Sequence, residues 1–271
     1  MGDDPPRDRA AFCRHGARVS LSLSLDRHIA HLAIDRPDKR NAFTQAMWEA
    51  LPELIERAML NPDIRVMILR ASVPGAFSAG ADIAEFGAGA QDPEWRIRNQ
   101  AAIRRAMETL ARAPKPVIAQ IEGDCIGGGC GLSLACDFRI ATPAARFGIT
   151  PAKLGLVYSL HDTKLLVDLV GPAAAKRILF TAALVDATQA HRIGLVDEIA
   201  EDAGAAATAL AAQIASVSPH SVRASKAMIG RIVHGQAEDD AETLTQFADA
   251  FGGPDFREGV AAFLAKRKPE F

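Results

Sequence analysis

The 271-residue sequence is sparing with aromatics: it holds two tryptophans and a single tyrosine. It has no apolar run near the ~20 residues that a bilayer-spanning helix needs; PVIAQI, residues 116–121, shows how short its runs are. The four cysteines, Cys13, Cys125, Cys130 and Cys136, include no C-x-x-C pair and have no histidine at zinc-ligand spacing. A membrane span, a metal site and a disulfide framework are therefore not expected, and the last three cysteines are expected as buried free thiols. Neither charge is in large excess, at a net −2 and a pI near 6.4. That speaks against a nucleic-acid-wrapping surface, while a local basic patch for a phosphate-bearing ligand stays compatible. Residues 1–17 are charged and proline-containing, without the apolar core of a secretory signal. They are expected as a flexible leader on a cytoplasmic protein.

What is present reads as an α/β chain. RVSLSLSLD (18–26) alternates apolar and polar residues and, with HIAHLAID (28–35), predicts a hairpin. Residues 44–60 carry Met47, Leu51, Leu54, Ile55 and Met59 at helical spacing, with Thr44 as N-cap and Pro52 as a candidate kink. RVMILRAS (65–72) and PVIAQIEG (116–123) predict buried strands leading into glycine-containing loops, with an amphipathic helix over 93–113 between them. Beyond about residue 172 the chain becomes alanine-rich and helical, interrupted by a strand candidate at 194–200.

The densest signal is IGGGCGLSLACDF, residues 126–138. Its glycines miss the dinucleotide spacing G-x-G-x-x-G, because position 132 is leucine, and no G-K-[ST] follows. A strand, a glycine turn and a small-residue helix remain, which leave backbone N–H groups free at the helix start. The alternative is that the glycines merely let a helix pack close to a sheet. A second loop, PGAFSAGADIAEF (74–86), also follows a buried strand. Donors from two such loops can converge into an oxyanion hole, each worth on the order of 3 kcal/mol in the transition state.

Together with DRPDKRNAF (35–43), CDFRIAT (136–142), FGITPAKLGL (147–156) and FLAKRKPEF at the C-terminus, these loops resemble the enoyl-CoA hydratase/isomerase family, or crotonase superfamily. The resemblance implies a spiral of repeated ββα units over 18–200 and a C-terminal helical oligomerisation subdomain over 201–271. It implies a homotrimer, or a hexamer made as a dimer of trimers, acting on acyl-CoA thioesters. No separate cofactor is implied, since CoA is part of the substrate. By motif position, the N–H groups of Ala81 and Gly128 would hold the thioester carbonyl as it becomes an enolate. Ser78, Ala79 and Ile83 would lie along the CoA, with Arg40 and Ala42 at its entrance. Phe263 and Lys266 would touch CoA from the C-terminal region. Arg40 and Lys266 read equally as solvated cations, and Phe263 as core. Asp82 reads as a turn residue.

The sequence departs from the family at its acids. Gly131 and Pro151 stand where hydratases of the family carry two glutamates that act as general acid and base. Ser159 stands where dienoyl-CoA isomerases and aryl-CoA dehalogenases carry an aspartate. TPAKLGLVY instead resembles methylmalonyl-CoA decarboxylases, whose tyrosine matches Tyr158. Tyr158, His161 and Asp162 are the candidate proton carriers, Asp162 doubling as an expected N-cap of a helix starting near Thr163, and Asp124 is a reserve base. Three functions stay open: a lyase or isomerase working through an enolate, a decarboxylase of a malonyl-type CoA ester using Tyr158, and a non-catalytic acyl-CoA binder.

Overall fold

The computed structural model describes residues 10–14 and 17–271, with side chains from Ser20 onward. Strand β2 (Ala17–Asp26) turns through Arg27, at φ 52°, into β3 (Ile29–Ile34). The two pair antiparallel from Leu21↔Ile34 to Asp26↔Ile29, as the alternation predicts. Part of the expected leader is not free: Ala10–Arg14 forms strand β1 and pairs with β2. Cys13 falls on this strand, and its side chain lies outside the described ones.

Helix α1 (Gln45–Leu60) begins where Thr44 Oγ1 accepts from Met47 N at 3.3 Å. Pro52 does not kink it into two helices; Pro52 is buried on the face that carries Met47, Trp48, Leu51, Leu54 and Ile55 into the core. Tertiary packing outweighs the lost backbone bond. After α1 come β4 (Val66–Ala71), α2 (Ile83–Gly89), α3 (Pro93–Ala111), β5 (Val117–Ile121), β6 (Cys125–Ile126), α4 (Gly128–Leu134), β7 (Phe138–Ala141) and β8 (Arg146–Gly148). Then follow α5 (Leu160–Thr181), β9 (Val185–Asp186), α6 (Ala187–Arg192), β10 (Glu198–Ile199), α7 (Ala203–Ala215), α8 (Pro219–Val233), α9 (Ala241–Ala250) and α10 (Pro254–Leu264). Helix α5 is broken at Gly171, φ 73° and ψ 166°, with Pro172 next in the chain.

The strands form two sheets, β1-β2-β3-β4-β5-β7-β10 and β6-β8-β9, and neither closes into a barrel. The large sheet is antiparallel at the β1-β2-β3 edge and parallel from β3 onward. Single bridges Phe43↔Ala81 and Ser78↔Cys125 carry the small layer back towards α1. Successive turns of the chain thus lay one strand on the large sheet and one short extended piece on the small layer: β4 then Ser78–Ala81, β5 then β6, β7 then β8. This is the ββα spiral.

Helix α7 belongs to the core. Its Ala203, Ala207, Ala211 and Ala215 pack on Ile29, Val66, Ile68, Ile118 and Ile140 of the large sheet. The helical appendage therefore begins at α8, later than the boundary at 201 that the resemblance implies. Helix α8 buries none of its residues, α9 only Thr243 and α10 only Ala262. Among the described residues no helix is long and apolar enough to cross a membrane, and no group of His, Cys, Asp and Glu is arranged to hold a metal ion.

Candidate active site

The two glycine-containing loops meet. Ser78 N donates to Asp124 O at 3.1 Å and Ile126 N to Ser78 O at 2.9 Å, stitching the 78–81 segment to β6. On its other side, Phe43 N donates to Gly80 O at 2.7 Å and Asp82 N to Phe43 O at 2.9 Å, which turns the N–H of Ala81 away from Phe43. Gly80 has φ +91°, and a Cβ on it would lie 2.9 Å from both Gly128 N and Ile126 O. A Cβ on Gly129 would lie 2.4 Å from Ser78 O. Only glycine permits these approaches. Gly128 N thus lies against Gly80, the chain neighbour of Ala81, and neither the Ala81 nor the Gly128 N–H donates to an acceptor among the described residues.

The walls come from three other elements. Trp48 of α1, almost wholly buried, would touch a Cβ on Gly128 at 3.1 Å and stacks at 4.4 Å on Phe43. One turn further along α4, a Cβ on Gly131 would lie 2.9 Å from Met107 Cε and 3.0 Å from Tyr158 Oη. The Tyr158 hydroxyl is buried and has no hydrogen-bond partner among the described residues. Burial pushes its pKa well above the ordinary phenol value, reinforced by the charge of Asp162 and by Cys130 and Cys125. It is a neutral phenol.

Asp162 is not the N-cap. Helix α5 starts at Leu160, three residues earlier than expected, and Ser159 Oγ caps it by accepting from Asp162 N at 3.0 Å. Ser and Asp are both good caps; the earlier one takes the place here, freeing the Asp162 carboxylate to turn inward. That carboxylate is buried and lies 3.0 Å from His161 Nδ1. His161 and Asp162 therefore pair with each other, and it is Tyr158 that stands beside Gly131.

The other candidates separate. Ser78 is completely buried, its hydroxyl donating to Asn41 O at 2.8 Å and accepting from Gly80 N at 3.1 Å. Its side chain is a strut that sets the loop, and it does not face a ligand as expected. Ala79 is half-buried with its N–H on Arg40 O at 2.9 Å, and Ile83 is exposed at the start of α2. Ala42 is buried, its carbonyl accepting from Arg36 Nη1 at 2.9 Å. Arg40, in a left-handed conformation, pairs with Asp124. Asp124 is also gripped by Arg146 at 2.7 and 2.9 Å. Hydrogen bonding to Arg146 chiefly holds the Asp124 carboxyl below its ordinary range, which disqualifies it as a base. Asp82 caps α2 through Ala84 N and Glu85 N and pairs with Arg36 at 2.7 Å, a structural part as expected.

Phe263 is 82% exposed, so it is not core. It lines a cleft with Pro219, Phe256, Val260, Leu264 and Phe271 that includes no residue of the two loops. Lys266 is exposed just past α10. Within one chain, neither residue is brought to the site. Cys125, Cys130 and Cys136 are free and buried as expected, and burial pushes the Cys136 thiol up to about 12. The contributions of Trp48, Met107, Asn41 and Arg146 were not marked in the sequence, where each sits in an ordinary helical or loop pattern.

Residues 25–271 match the sequence profile described as enoyl-CoA hydratase/isomerase. A crotonyl-CoA hydratase from Syntrophomonas wolfei is 34% identical over 94% of this chain and 98% of its own. An (E)-benzylidenesuccinyl-CoA hydratase from Thauera aromatica is 30% identical over 93% and 99%. Among solved structures, an enoyl-CoA hydratase/isomerase family protein from Hyphomonas neptunium superposes with a TM-score of 0.90 at 40% identity, covering 93% of this chain and 97% of that one.

Proposed function

The chain belongs to the enoyl-CoA hydratase/isomerase family, and on that premise we propose that it is an enzyme that binds an acyl-CoA thioester and stabilises its enolate between the N–H groups of Ala81 and Gly128. The observation that carries this reading is the contact of the two loops at Gly80 and Gly128, with both amides unspent. A carbonyl oxygen accepting both bonds gains charge as the enolate forms, and donors already in place cost no reorganisation.

Proton transfer falls to Tyr158, backed by Asp162 and His161, because Gly131 and Pro151 offer no carboxylate. A buried phenol held neutral cannot serve as the base that activates water, and with its pKa raised it gives a proton only to a strongly basic partner such as an enolate carbon. Hydration by a glutamate pair is therefore not the reaction proposed.

CoA contacts from Phe263 and Lys266 fit a closed homotrimer or hexamer, in which C-terminal helices reach a neighbouring subunit. The exposure of Phe247, Phe251, Phe256, Phe263 and Leu264 on α9 and α10 supports that assembly. A structure with a bound acyl-CoA tests the reading: both amide nitrogens are expected within about 3.1 Å of the thioester oxygen. Neither nitrogen pointing at that oxygen overturns the assignment. Turnover of crotonyl-CoA at hydratase-like rates overturns the proton-transfer part.

A further inference from the structure

A cleft lies at the far end of the large sheet from the paired amides. Strand β5 runs from Val117 to Ile121 towards the glycine loop, and the cleft opens before its first residue, at Ala111–Pro114. At about 3.3 Å per strand residue, the length of β5 alone separates the two places by roughly 16 Å. Helix α8 and Gln246 of α9 supply the other walls, and the enclosed volume is about 680 Å³. Pockets that take small molecules run to about 300–1,000 Å³.

The cleft is cationic. Arg112, His220, Arg223, Lys226, Arg231 and His234 line it, and among the described residues no carboxylate does. His220, Arg223, Ala227, Arg231 and His234 follow one another at intervals of three or four, which puts them on one face of α8 and its C-cap. Like charges at that spacing repel, so the stripe costs helix stability unless negative charge lies against it. Lys226 has a carboxylate of its own, Asp137 at 2.6 Å, and Arg231 has Glu242 at 2.6 Å. Arg112 and Arg223 make no ion pair among the described residues.

A second observation comes from the residue that follows the lining Pro114. Lys115 is buried, and its Nζ donates to Asn61 O at 2.6 Å and to Ala58 O at 3.4 Å, with carbonyls as its only partners. Burial, and after it the charge of Arg223, lowers its pKa. Lys226 Nζ donates to Lys115 O at 3.0 Å, so a third cation sits at the same place. A buried charge without a counter-ion is costly, and an anion in the cleft would offset that cost.

The arginines narrow the chemistry of the anion. A guanidinium fork takes two oxygens of a carboxylate or phosphate at once. Arg112 comes from the end of α3 and Arg223 from α8, so two forks are offered from two walls. A monocarboxylate has one charge and oxygens for one fork. A phosphate ester has three free oxygens and a charge of about −1.5 to −2 at neutral pH, which serves both.

We propose that this cleft is a binding site for a small molecule bearing a phosphate ester or diphosphate, held by Arg112, Arg223 and Lys226, separate from the paired amides and independent of the thioester reading.

Inorganic pyrophosphate is the probe, titrated calorimetrically into the wild type and into the Arg112→Gln and Arg223→Gln variants, with acetate as the comparison anion. The wild type is expected to bind pyrophosphate saturably and to bind acetate at least about tenfold more weakly, and each variant is expected to lose about tenfold or more, the scale of one charged hydrogen-bonding group. Both arginines are exposed, so the variants are expected to fold as the wild type does by circular dichroism. In the unaltered protein, pyrophosphate is expected to protect Arg112 and Arg223, and not Arg40 or Arg146, from an arginine-directed reagent, read by peptide mass spectrometry. Saturating butyryl-CoA is expected to leave pyrophosphate affinity unchanged. Absence of saturable binding, acetate binding as well as pyrophosphate, or variants that bind like the wild type overturn the proposal. So do protection at Arg40 and Arg146 instead, and competition by butyryl-CoA, since each puts the anion in the thioester site.

Discussion

The hydroxyl of Tyr158 occupies the volume into which a side chain on Gly131 would project, stopping 3.0 Å from its first carbon. The two positions share one space, so a side chain at 131 has to displace the ends of Tyr158 and Met107. Gly131→Glu is expected to destabilise the fold by about 1–3 kcal/mol, as overpacking does, and not to create hydration of crotonyl-CoA. Tyr158→Ala in the same chain is expected to recover part of the loss. Urea denaturation of the single and double variants measures both.

Gly80 holds the opposing loop at the paired amides. Gly80→Ala places a methyl 2.9 Å from Gly128 N in a backbone conformation, φ +91°, that alanine resists. Displacing one donor is expected to lower turnover by about 10²-fold or more while acyl-CoA binding changes much less. Single-turnover kinetics beside ligand titration separates the two effects, and equal losses in both would count against the amides acting in the transition state.

The C-terminal tail is tied by Glu258, whose carboxylate bonds both Nη atoms of Arg267 at 2.6 and 2.9 Å and accepts from Glu270 N at 2.7 Å. Those bonds, the Arg267 pair first, hold the Glu258 pKa down at about 2, against an ordinary 4.5. A depressed carboxyl contributes stability above its unfolded value and loses it as pH falls towards the folded one. Tail protection is therefore expected to decay as pH falls from about 4.5 to about 2. Glu258→Gln is expected to flatten that dependence, with amide hydrogen exchange at 265–271 as the readout.

On the C-terminal helices, Phe251 contacts Phe247 at 5.5 Å and Phe256 at 5.3 Å, edge to face, and all three rings are exposed on the single chain. The wild type is expected to run as a trimer or hexamer by light scattering. Replacing Phe247 and Phe251 with serine is expected to shift it to smaller species with α1 to α7 still folded by circular dichroism.

Local signals were enough for the hairpin, for the Thr44 cap and for the two glycine loops, because alternation, capping and close approach are each written within a few residues. Ser78 and Asp162 were not legible in that way. Ser78 is buried because the fold brings a distant carbonyl, Asn41 O, beside its hydroxyl, and Asp162 is left off the cap because Ser159, three residues earlier, takes that place. Met107 was invisible for the same reason: it is an ordinary apolar residue of α3 until α4 presents a glycine to it. Phe263 departs oppositely: an aromatic in an amphipathic helix reads as core, yet α10 leaves it 82% exposed.

The paired donors at Ala81 and Gly128 are main-chain atoms, positioned by main-chain bonds such as Phe43 N to Gly80 O and Gly127 N to Gly148 O. Ordinary side-chain substitutions cannot delete them, because every residue except proline supplies the same N–H. The electrophile-binding half of the site is thereby insulated from mutation in the half that moves protons. A chain built this way can have a glycine at 131, place a tyrosine hydroxyl beside it, and keep both main-chain donors where they are.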